Sequence, residues 1–277
     1  MRLVRPTKAS ELNVRPVVLK LGGSAITYKD KDFTANQDAI NRLAAEIAEA
    51  KIPQLIIVHG GGSFGHPLAK KYSIKEGFQG EASQLLGFSE THQSMITLNN
   101  IVLKALIKHN IPAVTIAPSS LTVTKSGRII AAIDEPLKRL LSMDFVPLLY
   151  GDAVLDLDLG FTILSGDQLV ASIAIQLNAE RMVIGIDEDG LFTADPKGTR
   201  PTNFIEDCTL DELRELQKQL QTSTAHDVTG GIHGKIIELM PAIEKGIAAL
   251  IVNASKPHLV YKALRGERVI GTHIQKE

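Results

Sequence analysis

Two glycine-rich stretches, each directly after a short apolar run, are the segments of this sequence best suited to binding phosphate. LKLGGS ends the first run at Gly22 and Gly23, and VHGGGSFGH continues the second. Glycine lets backbone N–H groups approach an anion because no Cβ stands in the way. Neither stretch matches the P-loop or the dinucleotide fingerprint, and one glycine pair alone is often a plain turn. Two such loops at strand ends are stronger evidence for a phosphate site.

Three lysines and an aspartate accompany glycine-rich segments. Lys20 lies inside the apolar run VVLKL, so its side chain either reaches solvent at a strand end or enters the site. Lys235 follows TGG by about one helical turn, where a solvated helix residue is the plain alternative, and Lys29 by itself is a loop charge. Asp167 in LSGDQ either orients the lysines by ion pairing or caps the following helix. Phosphoryl transfer needs such cations, because negative charge spreads over the transferred group.

The composition argues against several other classes of protein. The 277 residues carry a formal net charge of -1, which gives no general attraction to nucleic acid or anionic membranes. Trp is absent and aromatic residues make up 4%, so platforms for base stacking are not expected. Cys208 is the single cysteine, which excludes an internal disulfide and fits a reducing, cytoplasmic setting.

Targeting signals and membrane spans are not indicated either. Residues 1–14 lack the apolar segment of a secretory signal and are predicted to be an N-terminal extension. Uncharged apolar stretches fall short of the roughly 18 residues that a membrane-spanning helix needs.

Short apolar runs that alternate with helical patterns predict the scaffold. Residues 36–50 and 83–109 have helical periodicity, and residues 155–162 are predicted to form a hairpin. The runs predicted to be buried strands are 17–21, 54–58, 112–116, 145–150, 181–186 and 248–252. This alternation predicts an α/β fold with a mainly parallel sheet covered on both faces. In such sheets, the loops at the carboxyl ends of the strands build the binding site.

Several motifs resemble those of the amino acid kinase superfamily in their order and spacing: KLGGSAIT, HGGGSFGHPLAKKY, YGD, SGDQ, IDEDGLFTADP and DVTGGIHGK. The similarity covers essentially everything after the N-terminal extension. HGGGSFGH followed by PxAxxY, and the final GTHI, resemble the isopentenyl phosphate kinases within that superfamily. The resemblance implies a three-layer αβα sandwich with a substrate-binding lobe at 15–176 and a nucleotide-binding lobe at 177–277 on one continuous sheet. It also implies a homodimer, ATP as the donor, and Mg²⁺ bound mainly through the ATP phosphates, with no protein metal site.

The same resemblance implies residue roles at the matching motif positions. Catalytic roles fall to Lys20, Lys29, His66, Asp167 and Lys235. Nucleotide contacts are implied for Lys20, Gly22, Gly23, Ser24, Gly62, Asp187, Asp189, Gly190, Gly231 and Lys235. Acceptor contacts are implied for Gly61, His66 and Gly166 at the phosphate and for Phe88, Thr91, Met95, Ala153 and Ile163 at the rest of the molecule. Gln168, Ile186 and Glu188 depart from the family pattern, which leaves the fine nucleotide contacts open.

The acceptor that this resemblance implies is isopentenyl phosphate. A phosphate monoester has a second pKa of about 6 and is mostly dianionic at neutral pH, so it needs charge neutralisation rather than a general base. His66 fits as a hydrogen-bond donor to it, with local capping of a helix start as the alternative. His59, at the strand end, is expected to be structural.

The segment from 77 to 103 bears on the rest of the acceptor. It contains no Lys or Arg, so if it roofs the acceptor pocket, an uncharged tail is the simpler expectation. Phe88, Thr91 and Met95 share one helical face there, although such a stripe is also typical of plain core.

Two other functions are compatible with these residues. One is a kinase of another small phosphate or phosphonate, as in the fosfomycin kinases, which share much of the glycine-loop pattern. The other is a non-catalytic nucleotide-binding protein of the same fold, against which the presence of Lys20, Lys29 and Lys235 together argues. An acylamino-acid or glutamate kinase fits less well, because His66 and the segment without Lys or Arg do not suit a carboxylate acceptor.

Overall fold

A central sheet of eight strands organises the part of the chain that the structure, a computed structural model, describes. These are residues 14–130, 134–193, 202–222 and 232–277, without the side chains of residues 219–222 and 232–235. Nearly all of the predicted N-terminal extension therefore lies outside the described residues.

The described strands are, in chain order, β1 (Val17–Leu21), β2 (Leu55–His59), β3 (Ala113–Thr115), β4 (Val123–Lys125), β5 (Arg128–Ile129), β6 (Val146–Tyr150), β7 (Asp152–Asp156), β8 (Gly160–Leu164), β9 (Arg181–Ile186), β10 (Leu191–Phe192), β11 (Phe204–Ile205), β12 (Asp207–Thr209), β13 (Ala248–Asn253) and β14 (Thr272–Gln275).

The described helices are α1 (Gly23–Ile26), α2 (Gln37–Ala50), α3 (Gly62–Lys71), α4 (Ala82–Lys108), α5 (Pro118–Leu121), α6 (Asp134–Leu141), α7 (Gly166–Gln176), α8 (Leu210–Thr222), α9 (Ile232–Glu244) and α10 (Leu259–Leu264), with a 3-10 turn at Ile74–Glu76.

The strand order of the main sheet is β12-β14-β13-β9-β1-β2-β6-β3. Within it, neighbours are parallel except for β13 and β14, which are antiparallel. This confirms the predicted α/β class with a mainly parallel sheet. β1 and β9 lie side by side at the centre, so strands from the first and second halves of the chain share one sheet. The predicted lobe boundary at 176/177 stays a prediction.

The two faces of the sheet are covered by separate apolar clusters. Val17 and Leu19 of β1 pack on one side with α2, α4 and α10. Val18, between them, packs on the other side with α6, α7 and α9. Side chains alternate along a strand because successive Cβ atoms point to opposite faces. Helices on both faces make the predicted αβα sandwich, and Lys20 shares the face that α7 covers.

The predicted hairpin at 155–162 is present and longer than expected. β7 and β8 pair antiparallel from Asp152 opposite Leu164 to Asp156 opposite Gly160. With β4 and β5 they form a separate four-stranded sheet. Asp156 holds this sheet together at its turns, because it accepts the Thr124 hydroxyl at 2.7 Å and the Gly127 backbone N–H at 2.8 Å.

His59, the last residue of β2, is buried and supports the loop that follows it through its side-chain contacts. Its ring stacks on Tyr150 with the centroids 5.5 Å apart, and its Nε2 lies 3.3 Å from Asn99 Oδ1. Asn99 in turn donates to Thr115 Oγ1 at 2.8 Å, so helix α4 is tied to the ends of β2 and β3. Burial lowers the pKa of His59 to about 4. These contacts agree with the structural role expected for this histidine.

The depressed pKa makes the stability of the protein pH-dependent. His59 takes up a proton in the unfolded chain near its ordinary pKa of 6.5 but in the folded chain only near about 4. The contribution of neutral, buried His59 to the free energy of unfolding is therefore fully present above pH 6.5 and is lost as the pH falls to about 4. The loss is on the order of 3 kcal/mol.

Urea denaturation of the wild type and of His59→Gln across this pH range measures the effect. The wild type should lose stability more steeply than the variant, because carboxylates titrate in both and only the histidine differs. Parallel pH curves for the two proteins would contradict this account of His59.

Candidate active site

The two glycine loops touch each other at the carboxyl ends of the neighbouring strands β1 and β2. A Cβ added to Gly23 would lie 2.1 Å from the backbone N of Gly62, and a Cβ on Gly62 would lie 2.7 Å from the carbonyl O of Gly23. Gly62 also has a φ of +49, which side-chain-bearing residues rarely adopt. The backbone N–H of Gly60 donates to the Leu21 carbonyl at 2.9 Å, which holds the second loop against the end of β1. The glycines are therefore required by the approach of the two loops.

Helix α3 begins at this contact. Its N-cap is Gly61, which makes no side-chain capping bond. The first N–H groups of a helix have no partner within the helix, and they carry partial positive charge. The loop contact therefore lies beside a helix start that is suited to an anion.

Lys20 and Asp167 form a buried ion pair next to the loops. Lys20 Nζ lies 2.7 Å from Asp167 Oδ1, with the two side chains 3% and 11% exposed. The pair forms because Lys20 points to the face of β1 that α7 covers, and Asp167 lies in the first turn of α7. The N-cap of α7 is Ser165, whose side chain accepts the Gln168 backbone N–H at 3.1 Å. Capping by Asp167 is therefore wrong, and so is the alternative of a solvent-facing Lys20.

A second charged group joins the first loop to the end of β9. Asp187 accepts the Ser24 hydroxyl at 2.5 Å and pairs with Lys29 Nζ at 2.5 Å. Burial acts to raise the pKa of Asp187, but the hydrogen bonds from Lys29 and Ser24 outweigh it and the pKa is lowered. The structure thus brings three predicted site residues together, with Lys29 the most exposed of them.

Asp189, two residues further on, has partners that the sequence reasoning missed. Lys256 Nζ lies 2.7 Å from its Oδ1, and Asn253 Nδ2 donates to the same oxygen at 2.9 Å. These bonds, first that of Lys256, lower the pKa of Asp189. Asn253 ends β13, the parallel neighbour of β9, so its position at a strand end was the signal that could have found it. Gly190 follows with a φ of +149 and leaves no room for a Cβ beside Thr272.

The proposed acceptor-phosphate residues lie around the second loop. Gly166 begins α7, and a Cβ on it would lie 3.3 Å from the His59 carbonyl oxygen. His66 lies in α3 with an exposed side chain, and the N-cap of this helix is Gly61. The role of His66 at the acceptor phosphate stays a prediction.

The five residues predicted to contact the acceptor tail do not all lie in one cluster. Phe88, Ala153 and Ile163 belong to one small apolar cluster, in which the Phe88 ring lies 5.3 Å from that of Phe161. Met95 instead packs on the glycine loop, since a Cβ on Gly61 would lie 3.0 Å from its Sδ. The remaining one, Thr91, is buried, with its hydroxyl donated to the Gly87 carbonyl of its own helix at 2.7 Å.

Comparison with known proteins connects this site to a family. The amino acid kinase family matches residues 15–253. An isopentenyl phosphate kinase of Methanothermobacter thermautotrophicus is 41% identical, over 93% of this chain and 98% of its own. The chain belongs to the amino acid kinase family, and within it to the isopentenyl phosphate kinases. The isopentenyl phosphate kinase of Methanocaldococcus jannaschii is 37% identical over 93% of this chain and 97% of its own. A solved isopentenyl phosphate kinase structure superimposes with a TM-score of 0.83 at 37% identity, covering 94% of this chain and 100% of the other.

One departure from the kinase family pattern now has a structural explanation. The Gln168 side chain accepts the Ile129 backbone N–H at 2.9 Å and donates to the Gly127 carbonyl at 3.0 Å. It therefore clamps the β4–β5 turn to the first turn of α7, beside Asp167. An Asp at this position has no N–H to offer the Gly127 carbonyl.

Two predicted nucleotide residues of this family lie at or beyond the limits of the description. Gly231 is outside the described residues. Lys235 falls within α9, but its side chain is among those not described.

Among the described residues, no helix combines the length and apolarity needed to cross a membrane. Within the same residues, no group of three or more His, Cys, Asp or Glu is arranged to hold a metal ion.

The buried ion pair should contribute differently to stability and to activity. Lys20→Met leaves the Asp167 carboxylate without its cation, and breaking a buried pair in this way costs about 3–5 kcal/mol. The double variant Lys20→Met/Asp167→Leu replaces both charges by apolar groups and should recover most of that stability. Both variants should lose phosphoryl transfer, because the cation is absent from each.

Urea denaturation and an ADP-release assay on the same preparations separate the two effects. A single variant as stable as the wild type would contradict the burial argument. A double variant with wild-type turnover would remove Lys20 from the catalytic residues.

Proposed function

We propose that this protein transfers the γ-phosphoryl group of ATP to isopentenyl phosphate, which yields isopentenyl diphosphate and ADP for isoprenoid biosynthesis. Membership of the isopentenyl phosphate kinases supports the activity. The observation that carries the proposal is the contact between Gly23 and Gly62, because it brings the two phosphate-binding loops to one point. Two anions held by adjacent backbone segments are what a transfer from phosphate to phosphate requires.

The donor side of the site consists of the first loop and its charged neighbours. Gly22, Gly23, Ser24 and Gly62 would contact the ATP phosphates together with Lys20, and Asp187, Asp189 and Gly190 would serve the rest of the nucleotide with Gly231 and Lys235. The glycines fit this role, because a backbone without Cβ lets N–H groups approach an anion. Mg²⁺, held mainly through the ATP phosphates, would neutralise charge on them.

The acceptor side consists of Gly61, Gly166 and His66. Because the acceptor phosphate is mostly dianionic at neutral pH, with a second pKa of about 6, it attacks without losing a proton to a base. His66 acts by donating a hydrogen bond to that phosphate and aiming it at the donor.

The cations act on the group in transfer. Lys20, oriented by Asp167, and Lys29, held beside the first loop by Asp187, stabilise the negative charge that develops on its oxygens. Lys235 is assigned the same task by its motif. Asp167 itself is a positioning residue, since it acts through Lys20.

The apolar cluster of Phe88, Ala153 and Ile163 would receive the isopentenyl tail, with Thr91 and Met95 further along α4 and Met95 against the glycine loop. Burial of each CH₂ group contributes about 0.8 kcal/mol, so an apolar tail has a reason to bind there. The absence of Lys and Arg from residues 77–103 favours an uncharged tail over a carboxylate or a second phosphate. A cytoplasmic homodimer completes the proposal by analogy with the family.

A kinase of another small phosphate or phosphonate is the second candidate, and the same glycine loop with His66 favours it. A panel assay of ADP release distinguishes the candidates, with isopentenyl phosphate, dimethylallyl phosphate, fosfomycin, N-acetylglutamate and UMP as acceptors. We expect kcat/KM to be higher for isopentenyl phosphate and its isomer dimethylallyl phosphate than for the other acceptors, because their tails are apolar and their phosphates are monoesters. A higher kcat/KM for fosfomycin or UMP would overturn the proposed substrate, and absence of ADP release with every acceptor would favour a non-catalytic protein.

The assignment of His66 to the acceptor phosphate predicts a selective kinetic defect. A hydrogen bond to a charged group contributes about 1.5–3 kcal/mol. His66→Ala should therefore lower kcat/KM for isopentenyl phosphate by about 10- to 150-fold while the KM for ATP changes little. His66→Gln keeps a neutral donor and should recover part of the loss.

Steady-state kinetics with each substrate varied in turn is the measurement. His109→Ala is the matched control. His109 is the C-cap of α4 and lies near the start of β3, whereas the glycine loops lie at the carboxyl ends of the parallel strands. Full activity in His66→Ala, or a rise only in the KM for ATP, would show that His66 does not hold the acceptor phosphate.

A further inference from the structure

A buried carboxylate lies outside the set of residues that the proposed reaction uses. Asp152 begins β7 and its side chain is 0% exposed. Both of its oxygens lie 3.0 Å from Nδ1 of His92, which is on helix α4. Burial raises the pKa of Asp152 above its usual range, and the hydrogen bonds from His92 and Ser119 act in the opposite direction. The hydrogen bonds between His92 and Asp152 connect helix α4 to strand β7.

His92 lies on the face of α4 that looks toward the acceptor site. Phe88, His92 and Met95 are spaced by four and three residues, so they share one face of the helix. Met95 contacts the glycine loop, and Phe88 belongs to the apolar tail cluster. With a rise of about 1.5 Å per residue, His92 lies about 6 Å along the helix axis from Phe88 and about 4.5 Å from Met95. It therefore lies between the phosphate end and the tail end of the site.

Asp152 occupies the matching position on the opposite wall. It follows Gly151, at which a Cβ would lie 3.1 Å from the backbone N of Gly166, one of the proposed acceptor-phosphate residues. It precedes Ala153, a member of the tail cluster. Both partners thus stand where the phosphate part of the site meets its apolar part.

The charges of the pair also suit an uncharged tail. His92 is the one basic residue between 77 and 103. Nδ1 of His92 is held by the carboxylate of Asp152, so the ring is occupied within the pair and does not add a free cation for a second anionic group of the acceptor.

We propose that His92 and Asp152 form a positioning pair that fixes the gap between α4 and the β7–β8 hairpin, and thereby limits the acceptor tails that fit. The inference rests on the proposed function, since it concerns the acceptor of that reaction. Loosening the pair widens the gap. Isopentenyl phosphate then binds less tightly, and longer tails are accepted better relative to it.

His92 variants give the sharpest test, because the His92 side chain is 31% exposed and that of Asp152 is 0% exposed, so replacing His92 disturbs the core less than replacing Asp152. His92→Leu should raise the KM for isopentenyl phosphate about tenfold, with kcat within about twofold and the KM for ATP unchanged. The ratio of kcat/KM for geranyl phosphate to that for isopentenyl phosphate should rise several-fold. His92→Gln, which keeps an N–H donor for Asp152, should recover much of both effects.

Glu46→Gln is the control for disturbing a buried ion pair elsewhere in the protein. Glu46 accepts from Arg42 at 2.6 Å and from the His258 backbone N–H at 3.0 Å, which ties α2 to α10 rather than to the acceptor site. It should lower the melting temperature without changing the tail-length ratio. The proposal is overturned if His92→Leu keeps the wild-type KM and ratio, or if Glu46→Gln changes the ratio equally. If the wild type does not turn over isopentenyl phosphate, the proposed function is rejected instead. Titration calorimetry of isopentenyl phosphate binding to both His92 variants would then still test whether the pair fixes the gap between α4 and the hairpin.

Discussion

The backbone contact between Gly23 and Gly62 is the constraint on which the site depends. It exists because β1 and β2 are parallel neighbours whose carboxyl ends stop at the same level of the sheet. A side chain at either glycine would drive the two loops apart, since the added Cβ would lie 2.1 Å from Gly62 N in one case and 2.7 Å from Gly23 O in the other. Gly60 and Gly62 of the second loop are thus explained by the approach of the first loop, whereas a Cβ on Gly61 would meet Met95 and Gly65.

The charged residues follow from the same arrangement of strands. Alternation along β1 directs Lys20 to the face that α7 covers, and the start of α7 supplies Asp167. The end of β9, on the other side of β1, supplies Asp187 to Ser24 and Lys29. His59 anchors the end of β2 from below through Tyr150 and Asn99. Cations and backbone donors therefore converge at the carboxyl ends of the central strands, where they can act together on a phosphoryl group.

The sequence predicted the elements and the loops well, because periodicity and glycine placement are local signals. The run 17–21 and the run 181–186 coincide with β1 and β9. Asp167 was predicted either to pair with the lysines or to cap α7, and the helix begins one residue before it, so Ser165 is the cap and Asp167 lies in the first turn. The partners of Asp189 and the His92–Asp152 pair were missed. Their members are 60 or more residues apart in sequence, and only the packing of distant elements brings them together.

A crystal structure of the protein with a non-hydrolysable ATP analogue and isopentenyl phosphate tests the central claim most directly. The claim is that two touching glycine loops hold both substrates' phosphates at one point. It predicts the acceptor phosphate within about 2.7–3.2 Å of the Gly61 backbone N and the His66 ring, with the nucleotide phosphates on the loop at Gly22, Gly23 and Ser24. An acceptor phosphate bound away from the second loop, or a nucleotide that contacts neither loop, would contradict it.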